Sequence, residues 1–175
     1  MNDLIALGVD VGGTSVKAGL VTPEGTIPGG RTITFDSKSS SSAAVILDTL
    51  AAHLAPFVSE GPSGIAFGFP GPFDYAAGVS LIKGLDKYEA LYGIDVGAAL
   101  RERLRIPESV PVCFVNDAEA YGIGEARFGA AKGFERAVVI TLGTGCGSAF
   151  LVGGRVVRSA QGVPPGGSIY HLPYR

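Results

Sequence analysis

The sequence has little cysteine and little charge. Its only two cysteines, Cys113 and Cys146, stand far apart in apolar segments. They form neither a disulfide framework nor a zinc ligand set, and the pattern favours buried free thiols. The 14 Lys and Arg residues are outnumbered by 16 Asp and Glu residues, which gives a net charge of -2. This balance argues against a protein that binds nucleic acid through a basic surface.

The sequence also lacks a targeting segment and a long apolar run. Asp3 and Asp10 interrupt the region where a basic and then apolar signal would lie. No apolar stretch approaches the length that a bilayer-crossing helix needs. We therefore expect a cytoplasmic protein without a membrane or nucleic-acid partner. Hydrophobic residues make up 46% of the 175 residues, enough for the core of one domain, or of one domain and part of another.

The first motif present is a strand, a glycine turn and a second strand. Asp10 stands near the end of the first strand, and Gly12, Gly13 and Thr14 follow it. Glycines can take positive φ in a tight turn, and their bare amides let phosphate oxygens approach closely. The carboxylate of Asp10 can hold Mg²⁺ through water, and Lys17 can add positive charge. An ordinary β-hairpin without function explains the same residues, so this stretch alone leaves both interpretations open.

Strands and helices then alternate along the chain. The pattern predicts strands over residues 31–35, 64–69 and 112–115 and helices over residues 44–58, 95–104 and 118–131. Ligands of α/β sheets bind beyond the carboxyl ends of the strands. Asp10, Gly71 and the pair Asn116-Asp117 all lie at such ends, so we expect them to contribute to one site.

A strand, a glycine turn with threonine and another strand occur again over residues 137–152. The turn is predicted over residues 143–148, with Gly143, Thr144 and Gly145 at its start. It is not a dinucleotide-binding fingerprint, because a strand and not a helix follows the glycines. Two such hairpins suggest two halves of a clamp around a phosphate chain.

Four segments together resemble the ROK family of sugar kinases and related regulators, in the hexokinase–actin–Hsp70 superfamily. They are DVGGT (10–14), GFPGPFD (68–74), NDAEA (116–120) and LGTGCGSAFLVGGRVV (142–157). The resemblance implies an α/β fold with a ribonuclease-H-like (actin-like ATPase) lobe, whose mixed sheet has three antiparallel strands and flanking helices. It implies this lobe over residues 1–134 and the first hairpins of an incomplete second lobe over residues 135–175. Family members are roughly twice as long.

The resemblance implies ATP-dependent phosphorylation of a hexose, as in a glucokinase, with ATP and Mg²⁺ as cofactors. Asp117 would be the general base, because an aspartate can accept the proton of the attacking hydroxyl; capping the following helix is its other interpretation. Residues 69–72 and the loop over 83–92 would shape the sugar pocket. The implied substrate-binding residues are Asn116, Gly71, Pro72 and His171, and the implied phosphate-binding residues are Asp10, Gly12, Gly13, Thr14, Lys17, Gly143, Thr144 and Gly145.

The sequence departs from the family after the second hairpin. The family motif Gly-Glu-x-Gly-His falls on residues 167–171, where Ser168 replaces the sugar-contacting glutamate and Tyr170 replaces the second glycine. The cysteine-rich zinc motif of the family has no counterpart, so no zinc is expected.

Three alternatives stay open. The first is a non-catalytic fragment or pseudo-kinase that binds sugar or phosphate or only assembles with other chains, for instance as a homodimer. The second is a kinase that uses polyphosphate. The third, a regulator, is disfavoured because the chain begins at the first strand and lacks a basic patch.

Overall fold

The computed structural model describes residues 4–143, 145–169 and 172, and the chain divides into two compact units, Met1–Asn116 and Asp117–Arg175. The division comes earlier than the boundary expected after residue 134. The reason is that the helix starting at Asp117 packs on the sheet of the second unit.

The first unit is built on a five-stranded mixed sheet. In chain order its elements are β1 (Ala6–Val11), β2 (Ser15–Val21), β3 (Thr32–Asp36), α1 (Ala43–Val58), β4 (Gly64–Phe69), the short hairpin of β5 (Phe73–Asp74) and β6 (Val79–Ser80), α2 (Val96–Leu104) and β7 (Val112–Asn116). The order across the sheet is β3-β2-β1-β4-β7. Strands β1 to β3 pair antiparallel, and β1, β4 and β7 run parallel. The prediction of a mixed sheet opened by three antiparallel strands is confirmed.

Alternate residues along each strand point to opposite faces of the sheet, and the apolar residues mark the face that the helices cover. On β1, Leu7, Val9 and Val11 are buried, whereas Asp10 on the opposite face is exposed. Helix α1 packs against α2 and β2, and the buried side chains of both helices join the core of the sheet. A serine caps the start of α1, because the hydroxyl of Ser42 accepts a hydrogen bond from the Val45 amide at 3.4 Å.

The second unit pairs one helix with a three-stranded antiparallel sheet. Its elements are α3 (Asp117–Phe128), β8 (Arg136–Leu142), β9 (Cys146–Val152) and β10 (Arg155–Val156), and the sheet order is β10-β9-β8. Helix α3 lies against all three strands. It approaches β9 so closely that a Cβ added at Gly122 would lie 2.8 Å from Cβ of Ala149. A Cβ at Gly147 would likewise lie 2.8 Å from Cβ of Ala118. Close packing of helix on sheet therefore explains both glycines.

Two expectations about these elements were wrong. The glycine turn predicted over residues 143–148 is shorter, because β9 already begins at Cys146. Cys113 and Cys146 are free, as predicted, but both are exposed and not buried. Cys113 lies on the edge strand β7, where its neighbour Phe114 occupies the core side. Within the part of the chain that the structure describes, no helix has the length and apolar character needed to span a bilayer.

Candidate active site

The parallel strands of the first unit bring three predicted segments to one edge of the sheet, namely the edge at which these strands have their carboxyl ends. Asp10 on β1 is in register with Gly68 on β4, and Gly68 is in register with Val115 on β7. Asn116 follows Val115 at the same edge. Neighbouring strands lie about 4.8 Å apart, so the backbones of Asp10 and Val115 are roughly 10 Å apart across this edge.

The two sides of the edge carry different groups. Asp10 points to the open face of the sheet, and on the antiparallel strand β2 the residue opposite it is Lys17. Directly opposed residues point to the same face, so Lys17 and Asp10 lie on the same face of the sheet. Asn116 is in register with the fully buried Phe69 and therefore points to the other face. The predicted site residues thus share one edge of the sheet, but Asp10 and Asn116 lie on opposite faces of it.

The glycine loop between β1 and β2 reverses the chain without positive φ. Positive φ was the expected role of Gly12 and Gly13, and neither residue has it. Their contacts give other reasons for glycine. A Cβ at Gly12 would lie 2.8 Å from the carbonyl oxygen of Ser15, a distance that real Cβ atoms do not reach, whereas one at Gly13 would make ordinary contact with the side chain of Lys87.

Three hydroxyl groups hold the carbonyls of this loop. Tyr88 Oη donates to the carbonyl of Gly12 at 2.7 Å. The hydroxyls of Ser37 and Ser39 both donate to the carbonyl of Gly13, at 2.9 and 2.6 Å. Burial, with a smaller contribution from nearby carboxylates, raises the pKa of Tyr88 to about 12, so its hydroxyl remains a donor at neutral pH.

These bonds turn the next two amides outward. In a trans peptide the C=O and N–H point in opposite directions. Because the Gly12 and Gly13 carbonyls face the hydroxyls, the N–H groups of Gly13 and Thr14 face away from them. Among the described residues, no group accepts a hydrogen bond from either N–H. Two adjacent outward amides beside exposed Thr14 are hydrogen-bond donors available to phosphate oxygens.

Asp10 also suits a hydrated magnesium ion. Mg²⁺ keeps several waters and is commonly bound through one or two carboxylates plus substrate phosphates. Asp10, exposed and three residues before Gly13 in the chain, has a carboxylate of this kind. In the part of the chain that the structure describes, no three His, Cys, Asp or Glu side chains converge on one point.

A second group of polar contacts links the predicted sugar-binding residues Asn116 and Gly71. Asn116 Nδ2 donates to Tyr75 Oη at 3.2 Å, and Tyr75 Oη donates to the carbonyl of Phe69 at 3.1 Å. A Cβ at Gly71 would lie 3.2 Å from the same Tyr75 oxygen. Gly71 precedes exposed Pro72 through a cis peptide bond. Tyr75 therefore fixes the Asn116 amide next to the Gly71 turn.

In the second unit, Asp117 opens α3 and lies next to Asn116 in the chain. Its Oδ1 accepts a 2.9 Å hydrogen bond from the Ala118 amide, and its side chain is only partly buried. Gly143 and Gly145 form the exposed tip of the β8–β9 turn, where the Gly143 amide donates to the Gly145 carbonyl at 2.9 Å. The remaining predicted site residues, Thr144 and His171, lie outside the described residues.

The segment after β10 is fastened to this unit by two contacts. Arg158 binds Glu119 on α3 through two hydrogen bonds of 2.7 and 2.6 Å. The buried Ser148 hydroxyl donates to the Gly167 carbonyl at 2.9 Å and accepts from the Ile169 amide at 3.0 Å. Ser168, which replaces the expected glutamate, lies between these two anchored residues.

Sequence reasoning missed three residues of the site. Lys87 and Tyr88 lie in the loop over 83–92, which was expected as a whole to shape the sugar pocket, and Tyr75 directly follows the GFPGPFD segment. Tyr88 and Leu91 are fully buried, so the loop over 83–92 is partly core. An aromatic residue within a polar loop is the signal that could have indicated burial, but the sequence does not show which backbone atom its hydroxyl reaches.

The comparison with protein-family models decides the family, because the model described as "ROK family" matches residues 6–173. The chain belongs to the ROK family. Glucokinase of Streptomyces coelicolor is 31% identical over 159 residues, which are 91% of this chain and 47% of that protein. The chain spans about half the length of the curated relatives it matches.

Solved structures of the ROK family share the fold. The glucokinase of Streptomyces griseus, solved with glucose and AMPPNP, superposes with a TM-score of 0.72 at 30% identity, over 89% of this chain and 47% of that one. The inorganic polyphosphate/ATP-glucomannokinase of an Arthrobacter strain superposes with a TM-score of 0.71 at 32% identity, over 90% and 62%. The expected actin-like ATPase fold class is therefore confirmed.

Proposed function

We propose that this chain carries the phosphate-binding loop and acceptor-binding residues of an ATP-dependent sugar kinase that phosphorylates a hexose. The observation that carries the proposal is the pair of outward amides at Gly13 and Thr14, in the loop that follows the strand of Asp10. Phosphoryl transfer depends mainly on positioning and on neutralising charge, which such a loop supplies together with Mg²⁺. The related glucokinase that was solved with glucose and an ATP analogue supports the same chemistry.

The proposed roles are assigned residue by residue, and those of Thr144 and His171 rest on the family resemblance alone. Gly13 and Thr14 amides bind phosphate oxygens, and Asp10 holds Mg²⁺ through water, where the ion would neutralise phosphate charge. Asn116, fixed by Tyr75, binds a sugar hydroxyl beside the turn at Gly71 and Pro72. The carboxylate of Asp117 accepts the proton of the attacking hydroxyl. Gly143 and Gly145, with Thr144, supply the second phosphate loop, and His171 a further sugar contact.

The test is a coupled assay of the purified chain with a panel of hexoses, Mg²⁺ and either ATP or inorganic polyphosphate. Asp117→Asn keeps the side-chain shape and removes the base, so turnover should fall by about 10²-fold or more. Asp48→Asn changes an exposed carboxylate of α1 that pairs with Arg103 of α2. It should leave turnover unchanged. A folded sample without turnover on any sugar and donor would favour the non-catalytic alternative.

Assembly with a second copy is the alternative that one specific observation favours. Strand β8 is an edge strand of the described three-stranded sheet, and one of its faces exposes Val138, Ile140 and Leu142 at 54%, 53% and 83%. Unprotected apolar edge strands favour pairing with another chain. We propose a homodimer through this strand. Sedimentation of the wild-type chain and of Ile140→Lys tests it, and a monomer at all concentrations would contradict it.

A further inference from the structure

Lys87 lies directly over the glycine loop. A Cβ built on Gly13 would be 3.4 Å from Cδ and 3.8 Å from Nζ of Lys87, so the lysine side chain occupies the space that the glycine leaves open. Lys87 is partly buried, and no ion pair between described residues includes it. Its ammonium group therefore brings positive charge to the glycine loop at Gly13.

The neighbouring residue fixes Lys87 in this place. Tyr88 is fully buried, its ring packs against Phe69 at a centroid distance of 5.4 Å, and its hydroxyl holds the Gly12 carbonyl. The Tyr88 amide also donates to the Ser39 carbonyl at 2.6 Å, and the Ser39 hydroxyl holds the Gly13 carbonyl. Tyr88 thus connects the backbone next to Lys87 with the glycine loop twice, directly through its hydroxyl and through Ser39 by its amide.

The other lysine near the loop is placed differently. Lys17 is the residue directly opposite Asp10 on the neighbouring strand, so it shares a sheet face with a carboxylate. Around Lys87, a shallow cavity of about 220 Å³ is lined also by Asp86 and Glu89. Oε1 of Glu89 accepts a hydrogen bond from the Asp86 amide at 3.2 Å, so this oxygen is directed toward the backbone of residues 86–89.

We infer that Lys87 is a phosphate-binding residue of the Gly12–Thr14 loop and that Tyr88 is the positioning residue that holds loop and lysine together. The inference deepens the proposed function and rests on it for the identity of the phosphate. The ligand chemistry is a chain of phosphates, whether the end of a nucleoside triphosphate or an inorganic polyphosphate. An ammonium group and two amides on one oxygen cluster make charge-assisted hydrogen bonds, which are the stronger kind.

The experiment is an NMR titration of the ¹⁵N-labelled chain with tripolyphosphate and with Mg²⁺–ATP. The amides of Gly13 and Thr14 should shift on binding, and Lys87→Gln should weaken the affinity about tenfold. Lys83→Gln is the matched control from the same loop, because Lys83 lies over the Tyr92 ring at 5.5 Å and away from the glycine loop. Lys17→Gln should weaken binding less than Lys87→Gln.

Each outcome separates the inference from the proposed function. Unchanged affinity in Lys87→Gln, with an otherwise unchanged spectrum, would overturn the inference even if the chain phosphorylates sugars. No shift of the Gly13 and Thr14 amides in the wild-type chain would also overturn it. Loss of binding in Lys87→Gln without any sugar phosphorylation would support the phosphate site and count against the kinase. Binding of tripolyphosphate equal to that of Mg²⁺–ATP would identify the phosphate chain alone as the ligand.

Tyr88→Phe tests the positioning role separately. The ring keeps its packing and loses only the hydroxyl, so the Gly13 and Thr14 amides should lose affinity for tripolyphosphate while Lys87 is still present. Tyr92→Phe, at an exposed tyrosine of the same loop, is its control. Equal affinities of the two variants would show that the Tyr88 hydroxyl has no role in phosphate binding.

Discussion

The carboxylate of Glu119 accepts two hydrogen bonds from the guanidinium of Arg158, one from Nε at 2.7 Å and one from Nη2 at 2.6 Å. The Glu119 side chain is only 7% exposed, whereas that of Arg158 is 58% exposed. The pair ties the segment after β10 to the first turn of α3, two residues from the proposed base Asp117. It therefore couples the stability of the second unit to the placement of that base.

Arg158→Met should destabilise the second unit. The substitution leaves a buried carboxylate without its guanidinium partner, and we expect a loss of about 1–3 kcal/mol in the free energy of unfolding. Urea unfolding followed by circular dichroism measures it. Arg155→Met, at an exposed arginine of β10, is the control and should unfold like the wild type. A smaller loss in Arg158→Met than in this control would contradict the assignment.

Gly122→Ala and Gly124→Ala should have opposite effects, although both place a better helix former in α3. At Gly122 the new Cβ would be 2.8 Å from Ala149, so overpacking should cost about 1–3 kcal/mol. At Gly124 no atom lies within 4 Å, and the substitution should stabilise by up to about 1 kcal/mol. Thermal unfolding of the two variants measures the difference; the same sign for both would refute the close packing of α3 on β9.

Gly12→Ala should damage the glycine loop between β1 and β2 more than Gly13→Ala. A Cβ at Gly12 meets the Ser15 carbonyl oxygen at 2.8 Å, so the backbone of the turn must shift, at a cost of roughly 1–3 kcal/mol. A Cβ at Gly13 makes ordinary contact with the flexible Lys87 side chain. Urea midpoints of the two variants should therefore differ, with Gly13→Ala close to the wild type. Equal losses would mean that the loop tolerates no side chain at either position.

Tyr88 should make the first unit sensitive to alkaline pH. Its pKa of about 12 in the folded chain is higher than the ordinary value of 10, mainly through burial. As the pH rises, the unfolded chain loses the phenolic proton first. The corresponding stabilisation, about 2–3 kcal/mol at most, is complete below pH 10 and disappears as the pH rises to 12.

Urea unfolding at several pH values between 9 and 12 measures this effect. The wild-type chain should lose stability more steeply above pH 10 than Tyr88→Phe, which has no phenol to titrate there. Absorbance at 295 nm should show one tyrosine fewer titrating near pH 12 in the variant. Parallel stability curves for the two chains would mean that the Tyr88 hydroxyl is not held in the folded state as described.

Tyr75→Phe should act on sugar binding and much less on turnover. Without its hydroxyl, the Asn116 amide loses a fixed partner, and we expect KM for the sugar to rise by roughly 5- to 10-fold, the worth of one hydrogen bond. The value of kcat should change less, because Asp117 is untouched. Steady-state kinetics of Tyr75→Phe and of the control Tyr121→Phe, at an exposed tyrosine of α3, test this. A fall in kcat at constant KM would place Tyr75 in another role.

The sequence alone determined the elements and the family. The strands β1 and β2 and the glycine loop between them follow from local spacing, since each depends on residues within a few positions. The order of four short motifs indicated the ROK family, which the family comparison confirmed. The location of Asp10, Gly71 and Asn116 at one sheet edge also followed, because parallel strands place their carboxyl ends together.

Only the tertiary structure decided how the loop is held and which side each group faces. The Tyr88 hydroxyl reaches Gly12 from 76 positions along the chain, and no local pattern encodes such a contact. The register of β4 with β7 turned Asn116 away from Asp10, because one residue along a strand changes the face. The close approach of α3 to β9 explained Gly122 and placed α3 in the second unit. Contacts of this kind depend on packing between distant segments, which a single sequence does not specify locally.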